Sequence, residues 1–150
     1  MDFTRAKQLN DAVRAMALRH RALAAELLAP LGLHPGQEVL LLELHEHGAR
    51  TQVQLAAASG CEPPTITGSV RKLEGAGLVV RRPSETDGRA TIVELSDRGR
   101  ALLPALEAAW VELAERTAAE VDAGELRATL SRVAAHLGSR RWACGDARQR

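Results

Sequence analysis

The stretch from Thr51 to Leu95 constrains this chain most, because it reads as helix, tight turn, helix and β-hairpin in unbroken succession. Thr51 is a good N-cap and Gln54 follows three residues later, the spacing of a capping box. A short helix is therefore expected over Gln52 to Ser59, closed by Gly60. Glu62-Pro63-Pro64 opens the next helix, since prolines fit a first turn whose N–H groups have no partner within the helix. That helix runs to about Gly75. Leu78 to Arg82 and Ala90 to Leu95 then read as two strands around the turn-rich tip Pro83 to Arg89.

Helices are expected on both sides of this unit. Phe3, Ala6, Leu9, Val13, Met16, His20, Leu23 and Leu27 recur at steps of three and four, predicting one long helix from residue 4 to about 29. Pro30, Gly32, Pro35 and Gly36 end it, and a second helix runs from about Pro35 to His45. Ser96 caps a long helix reaching about Glu120, with Pro104 inside it as a kink or a restart. Asp122 to Glu125 forms another capping box, and Leu126, Leu130, Val133 and Leu137 mark a last helix. Aromatic residues are only 2% of the chain and there is no Tyr, while Ala and Leu fill most apolar positions. That composition favours helix over a β-sandwich. No strand alternates with helices, which argues against a nucleotide-binding parallel sheet. The fold class expected is mainly α with a small β-hairpin wing. Residues 35–95 form a winged helix-turn-helix, flanked by dimerisation helices over 1–34 and 96–137 in one integrated domain. Residues 138–150, with Arg140, Arg141, Arg148 and Arg150, read as a flexible basic tail.

A net charge of +1 is too weak to indicate nucleic acid by itself, so a DNA reading rests on where the charges sit. In the helix after Glu62, Ile66, Val70 and Leu73 fall on one side and are the candidate core. Pro64, Gly68, Arg71 and Lys72 fall opposite, with Thr65 and Thr67 on the flanks. A helix entering a major groove needs such a face: small residues permit close approach, hydroxyls bind phosphate and Arg pairs with guanine. Thr51 and Gln52, at the start of the preceding helix, join these as candidate DNA-binding residues. Arg81 and Arg82 flank the base of the hairpin and Arg89 stands at its tip, where a minor groove would attract it. Asp87 is placed to orient the Arg89 guanidinium through a bidentate pair. The alternative at each point is bland: a solvated amphipathic helix and a solubilising turn with a surface ion pair.

Taken together, LGLHPGQEVLLLELHEHG and QLAAASGCEPPTITGSVRKLEGAGLVVRRPSETDGRATIVELSDRGRALL resemble the MarR family of bacterial regulators over roughly residues 31–103. The strongest part runs from Pro64 through Leu73-Glu74 and Gly77-Leu78-Val79 to Asp87 and Arg89. The resemblance implies a homodimer held by the first and last two helices, with recognition helices in successive major grooves and wings in the flanking minor grooves. It places Thr65, Thr67 and Arg71 at DNA-contacting positions, Arg89 at the wing tip and Asp87 as its partner. It further implies a crevice between the dimer helices and the winged unit for a small-molecule effector. Gly68 departs from the family pattern, where Arg or another long residue is common. The residues also argue for a dimer on their own, since the stripes Phe3–Leu27 and Leu126–Leu137 lie outside the central unit and need cover.

The expected function is a double-stranded DNA-binding transcriptional regulator, a repressor released by a small molecule and acting on a palindromic operator. No cofactor, metal or membrane partner is expected. His45 and His47 sit two apart without a dense ligand cluster around them. Cys61 and Cys144 match no metal or redox spacing, and Cys61 reads as a small buried hydrophobe. No catalytic constellation stands out, so the chain is not read as an enzyme. Neither a bilayer-length apolar run nor a signal peptide is evident, which points to a soluble, cytoplasmic protein. Two other readings stay open: a winged-helix module that binds protein, and a metal- or thiol-responsive sensor with the same fold.

Overall fold

The computed structural model describes residues 1–137; the basic tail foreseen over 138–150 lies outside them. The elements run α1 Phe3–Leu28, a 3-10 turn Ala29–Leu31, α2 Gln37–His47, β1 Arg50–Thr51, α3 Gln52–Ser59, α4 Pro63–Gly75, β2 Val79–Pro83, β3 Thr91–Leu95, α5 Asp97–Thr117 and α6 Ala123–Leu137. The expected succession of helices and hairpin is therefore present, with ends shifted by a few residues. Local chemistry sets those ends. Asp2 accepts the Arg5 N–H ahead of α1, Ser96 accepts the Gly99 N–H ahead of α5, and Asp122 accepts the Glu125 N–H ahead of α6.

Two features differ from the sequence reading. The sheet has three antiparallel strands in the order β1-β3-β2, because Arg50 and Thr51 pair with Val93 and Ile92. Two residues are too few to display a period of two, so β1 leaves no mark in the sequence. Pro104 does not restart the helix: α5 continues through it. Pro104 is exposed, so the carbonyl it leaves without an N–H partner faces the wet side of the helix.

One core joins α1 to the winged unit. Ala24 and Leu28 of α1, Leu40, Leu41 and Leu44 of α2, Leu55 of α3, and Ile66, Val70 and Leu73 of α4 are buried together with Val79, Val93 and Leu106. The long stripe of α1 is thus divided. Its C-terminal part packs within the chain, while Phe3, Leu9, Val13 and Met16 are exposed. α6 has no buried residue, and its Leu130, Val133 and Leu137 are exposed as well. Glu38, in the first turn of α2, is a buried carboxyl that accepts the Gly36 N–H at 2.6 Å. Burial pushes its pKa up, opposed by those backbone hydrogen bonds and by the Arg21 charge.

Candidate nucleic-acid interface

The first helix of the pair, α3, is fixed by its cap. The Thr51 hydroxyl accepts the Gln54 N–H at 3.1 Å and the Gln54 side chain accepts the Thr51 N–H at 2.9 Å, completing the capping box. At the other end Gly60 takes φ 66°, a left-handed conformation that a side chain would strain. That turn redirects the chain into α4, whose first turn carries the two prolines after the N-cap Glu62.

The buried side of α4 is Ile66, Val70 and Leu73, as the periodicity requires. On the other side Pro64, Gly68, Arg71 and Lys72 are exposed, with Thr65 and Thr67 half-buried at the margins. Pro64, Gly68 and Arg71 stand at i, i+4 and i+7 and make one stripe along the helix. The Thr67 hydroxyl lies 3.1 Å from the Pro63 carbonyl and 3.2 Å from Gln52 Oε1. It ties α4 to the start of α3 and holds Gln52 at the edge of the exposed face. Sequence spacing places Gln52 and Thr67 near the site but does not reveal this link, which spans the turn.

The wing rises beside this face. Register pairs Val80 with Glu94 and Arg82 with Ile92, so consecutive residues of β2 point to opposite faces. Arg81 turns towards α4, where its Nε donates to Glu74 Oε2 at 2.8 Å and a second guanidinium nitrogen lies 2.6 Å away. The Glu74 hydrogen bond pushes the Arg81 pKa up. Arg82 is on the other face, diagonal to Glu94 at 3.7 Å. Both wing-base arginines are therefore partly neutralised by acids that sequence reasoning left out. Only the strand register and the α4–β2 turn bring these partners together.

At the tip, the Ser84 hydroxyl accepts the Thr86 and Asp87 N–H groups at 3.3 and 3.2 Å, and the Ser84 N–H donates to the Ala90 carbonyl at 2.9 Å. Asp87 has a different role from the one expected. Its carboxylate accepts the backbone N–H of Arg89 at 3.0 Å, and no ion pair joins the two side chains among the described residues. With only Gly88 between them, the short Asp87 side chain reaches the nearby main chain more readily than the end of the Arg89 side chain. Arg71, Lys72 and Arg89 likewise make no ion pair among the described residues, and all three are exposed.

Behind the wing, a cavity of about 380 Å³ is lined by Leu31, Gly32, Ala76, Leu78, Arg98, Ala101 and Leu102. It lies where the 3-10 turn after α1, the turn between α4 and β2, and the start of α5 converge. His45 and His47 face separate carboxylates, Glu107 at 3.5 Å and Glu43 at 3.2 Å. Among the described residues no three or more of His, Cys, Asp and Glu gather into a group able to hold a metal. Cys61 is buried at the start of the turn into α4. No helix among the described residues is long and apolar enough to cross a membrane.

A model of the MarR family matches residues 33–91. Over 124 residues the chain is 32% identical to the HTH-type transcriptional repressor NicR of Pseudomonas putida, covering 83% of this chain and 78% of that one. A crystal structure of a probable transcriptional regulator from Pseudomonas aeruginosa superposes with a TM-score of 0.75 at 34% identity, covering 86% of this chain and 96% of that one. BpsR of Bordetella bronchiseptica, whose DNA binding is regulated by 6-hydroxynicotinic acid, gives 0.76 at 22% identity, with 87% and 98% covered. A mutant of Escherichia coli MarR complexed with operator DNA gives 0.75 at 22% identity, with 91% and 99% covered.

Proposed function

The chain belongs to the MarR family of transcriptional regulators, and from that premise we propose that it is a homodimeric repressor that binds a palindromic double-stranded operator. It is a regulator, not an enzyme. The observation that carries the DNA reading is the joint exposure of the Pro64–Lys72 face of α4 and of Arg89 at the projecting wing tip. The α4 face enters a major groove, with Arg71 at a base edge or phosphate and Lys72 at the backbone. Thr51, Gln52 and Thr65 border that face and serve the phosphates. Arg89 enters the adjacent minor groove, positioned by the turn that Asp87 closes. Arg81 and Arg82, each shared with a carboxylate, contribute less than their number suggests.

A second copy of the chain covers the exposed apolar stripes of α1 and α6. Phe3, Leu9, Val13 and Met16 on α1, and Leu130, Val133 and Leu137 on α6, are two exposed apolar stripes that a partner's surface removes from water. Pairing two copies sets two recognition helices about 34–36 Å apart, one turn of the duplex. The effector enters the cavity beside Arg98, where it touches both the turn after α4 and the start of α5. A ligand that binds better when those elements are spread shifts the two recognition helices off the operator spacing. The named repressor NicR and the ligand-regulated BpsR support this sign and mode of control.

Selection of bound sequences from random duplex DNA tests the proposal. A two-fold symmetric motif with half-sites one turn apart is the expected product. No enrichment, even at low ionic strength, overturns it.

A further inference from the structure

Gly68 occupies the middle of an α-helix, where glycine is destabilising relative to alanine because it has more backbone freedom to lose. Nothing in the chain's own packing requires it. A Cβ built there meets no atom within 4 Å, and its backbone is not left-handed. Gly99 in α5 shows the contrast: a Cβ there would lie 2.0 Å from the Leu78 carbonyl oxygen, so helix and turn touch only because the side chain is missing. Gly60 and Gly77 are accounted for by positive φ. Among the described residues, Gly68 alone combines the middle of a helix, ordinary backbone and open space on the face that the proposed function turns towards DNA.

We propose that Gly68 is a specificity-determining, close-approach position: the α4 backbone lies against the edge of one base pair there, and that pair presents a thymine C5-methyl group. The inference rests on the DNA reading above and adds which chemistry the helix meets. Gly68 itself offers only C–H surface, with the Pro64 ring one turn before it, while Thr65, Arg71 and Lys72 stand around it at i−3, i+3 and i+4 and carry the polar contacts to neighbouring positions. The helix backbone has its N–H and C=O groups engaged within α4, and Pro64 has no N–H at all. The Thr67 hydroxyl is directed to the Pro63 carbonyl and Gln52. A polar base edge pressed against such a surface loses water without gaining a partner. A thymine methyl group loses nothing and gains contact, which makes A·T the base pair that fits.

The test is Gly68→Ala in the full-length protein, read by melting temperature and by titration against the operator recovered by selection. The expected result is a change of opposite sign in the two measurements. Melting rises by about 2–4 °C, as for a helix glycine replaced by alanine, while operator affinity falls at least about fivefold as the added methyl holds the helix away. In parallel, each thymine of a half-site is replaced by deoxyuridine. One position should weaken wild-type binding by about fourfold, the worth of one methyl-sized apolar contact, and that penalty should shrink in Gly68→Ala. Unchanged affinity of Gly68→Ala for the operator overturns the inference, as does a half-site with no methyl-sensitive thymine. A fall in melting temperature overturns its premise that the fold does not need this glycine. Absence of any duplex binding by the wild type overturns the DNA reading itself, a result distinct from the other three.

Discussion

Arg89 owes its place to the tip around it: Asp87 fixes its backbone N–H, Ser84 gathers the neighbouring N–H groups, and the guanidinium stays exposed. Arg89→Ala should therefore weaken operator binding by about tenfold or more and lower the slope of log affinity against log salt by about one. Fluorescence titration over a salt series measures both, and an unchanged slope contradicts the minor-groove role. Glu38 is the converse case, a charge the fold does not favour. Burial raises its pKa, so the folded chain holds this proton more tightly than the unfolded chain does. Its contribution is present at acid pH and is lost as pH rises from the ordinary carboxylate range through the raised value. Glu38→Gln keeps an oxygen to accept the Gly36 N–H and has no proton to lose. Its denaturation midpoint should gain on wild type more at about pH 8 than at about pH 5. A gap independent of pH assigns the ionisation no role in stability.

Among the elements, the start of α5 fixes the winged unit to the long helices. The Ser96 N–H donates to the Leu78 carbonyl at 3.1 Å, its hydroxyl donates to the Gly77 carbonyl at 2.6 Å, and Gly99 allows the close contact behind them. Gly99→Ala should destabilise the protein by about 1–3 kcal/mol, because backbone on both sides has to yield to the added carbon. Denaturant titration checks this, and a stable variant shows that α5 moves more freely than the contact implies. Helix starts were legible in the sequence where a side chain makes the cap, as at Thr51, Ser96 and Asp122. The partners of Arg81 and Arg82 were not, because Glu74 lies across a turn and Glu94 across a strand pair.

For the whole molecule, the division of α1 changes how a dimer is probed. Deleting residues 1–29 removes Ala24 and Leu28 from the core along with the exposed stripe, so loss of the dimer would follow from misfolding alone. Leu9→Glu combined with Val13→Glu alters only exposed positions. The double variant should be monomeric by light scattering and keep its helical circular dichroism. It should also bind the full operator at least about tenfold more weakly, because one half-site is then held without the other. A dimer that survives both charges places the interface elsewhere.

Residue order alone determined the succession of helices and hairpin, the core face of α4 and the small, basic face opposite. These follow from periods of 3.6 and 2 and from capping chemistry, which act within a few residues of chain. Tertiary structure decided what depends on residues far apart meeting: the third strand at Arg50 and Thr51, the carboxylates that share Arg81 and Arg82, and the split of α1 between core and exposed stripe. It also separated Gly99, which a neighbouring carbonyl forces to be glycine, from Gly68, which nothing inside the chain explains. The physical reason is that a local pattern fixes which way a side chain points but not what stands there to meet it.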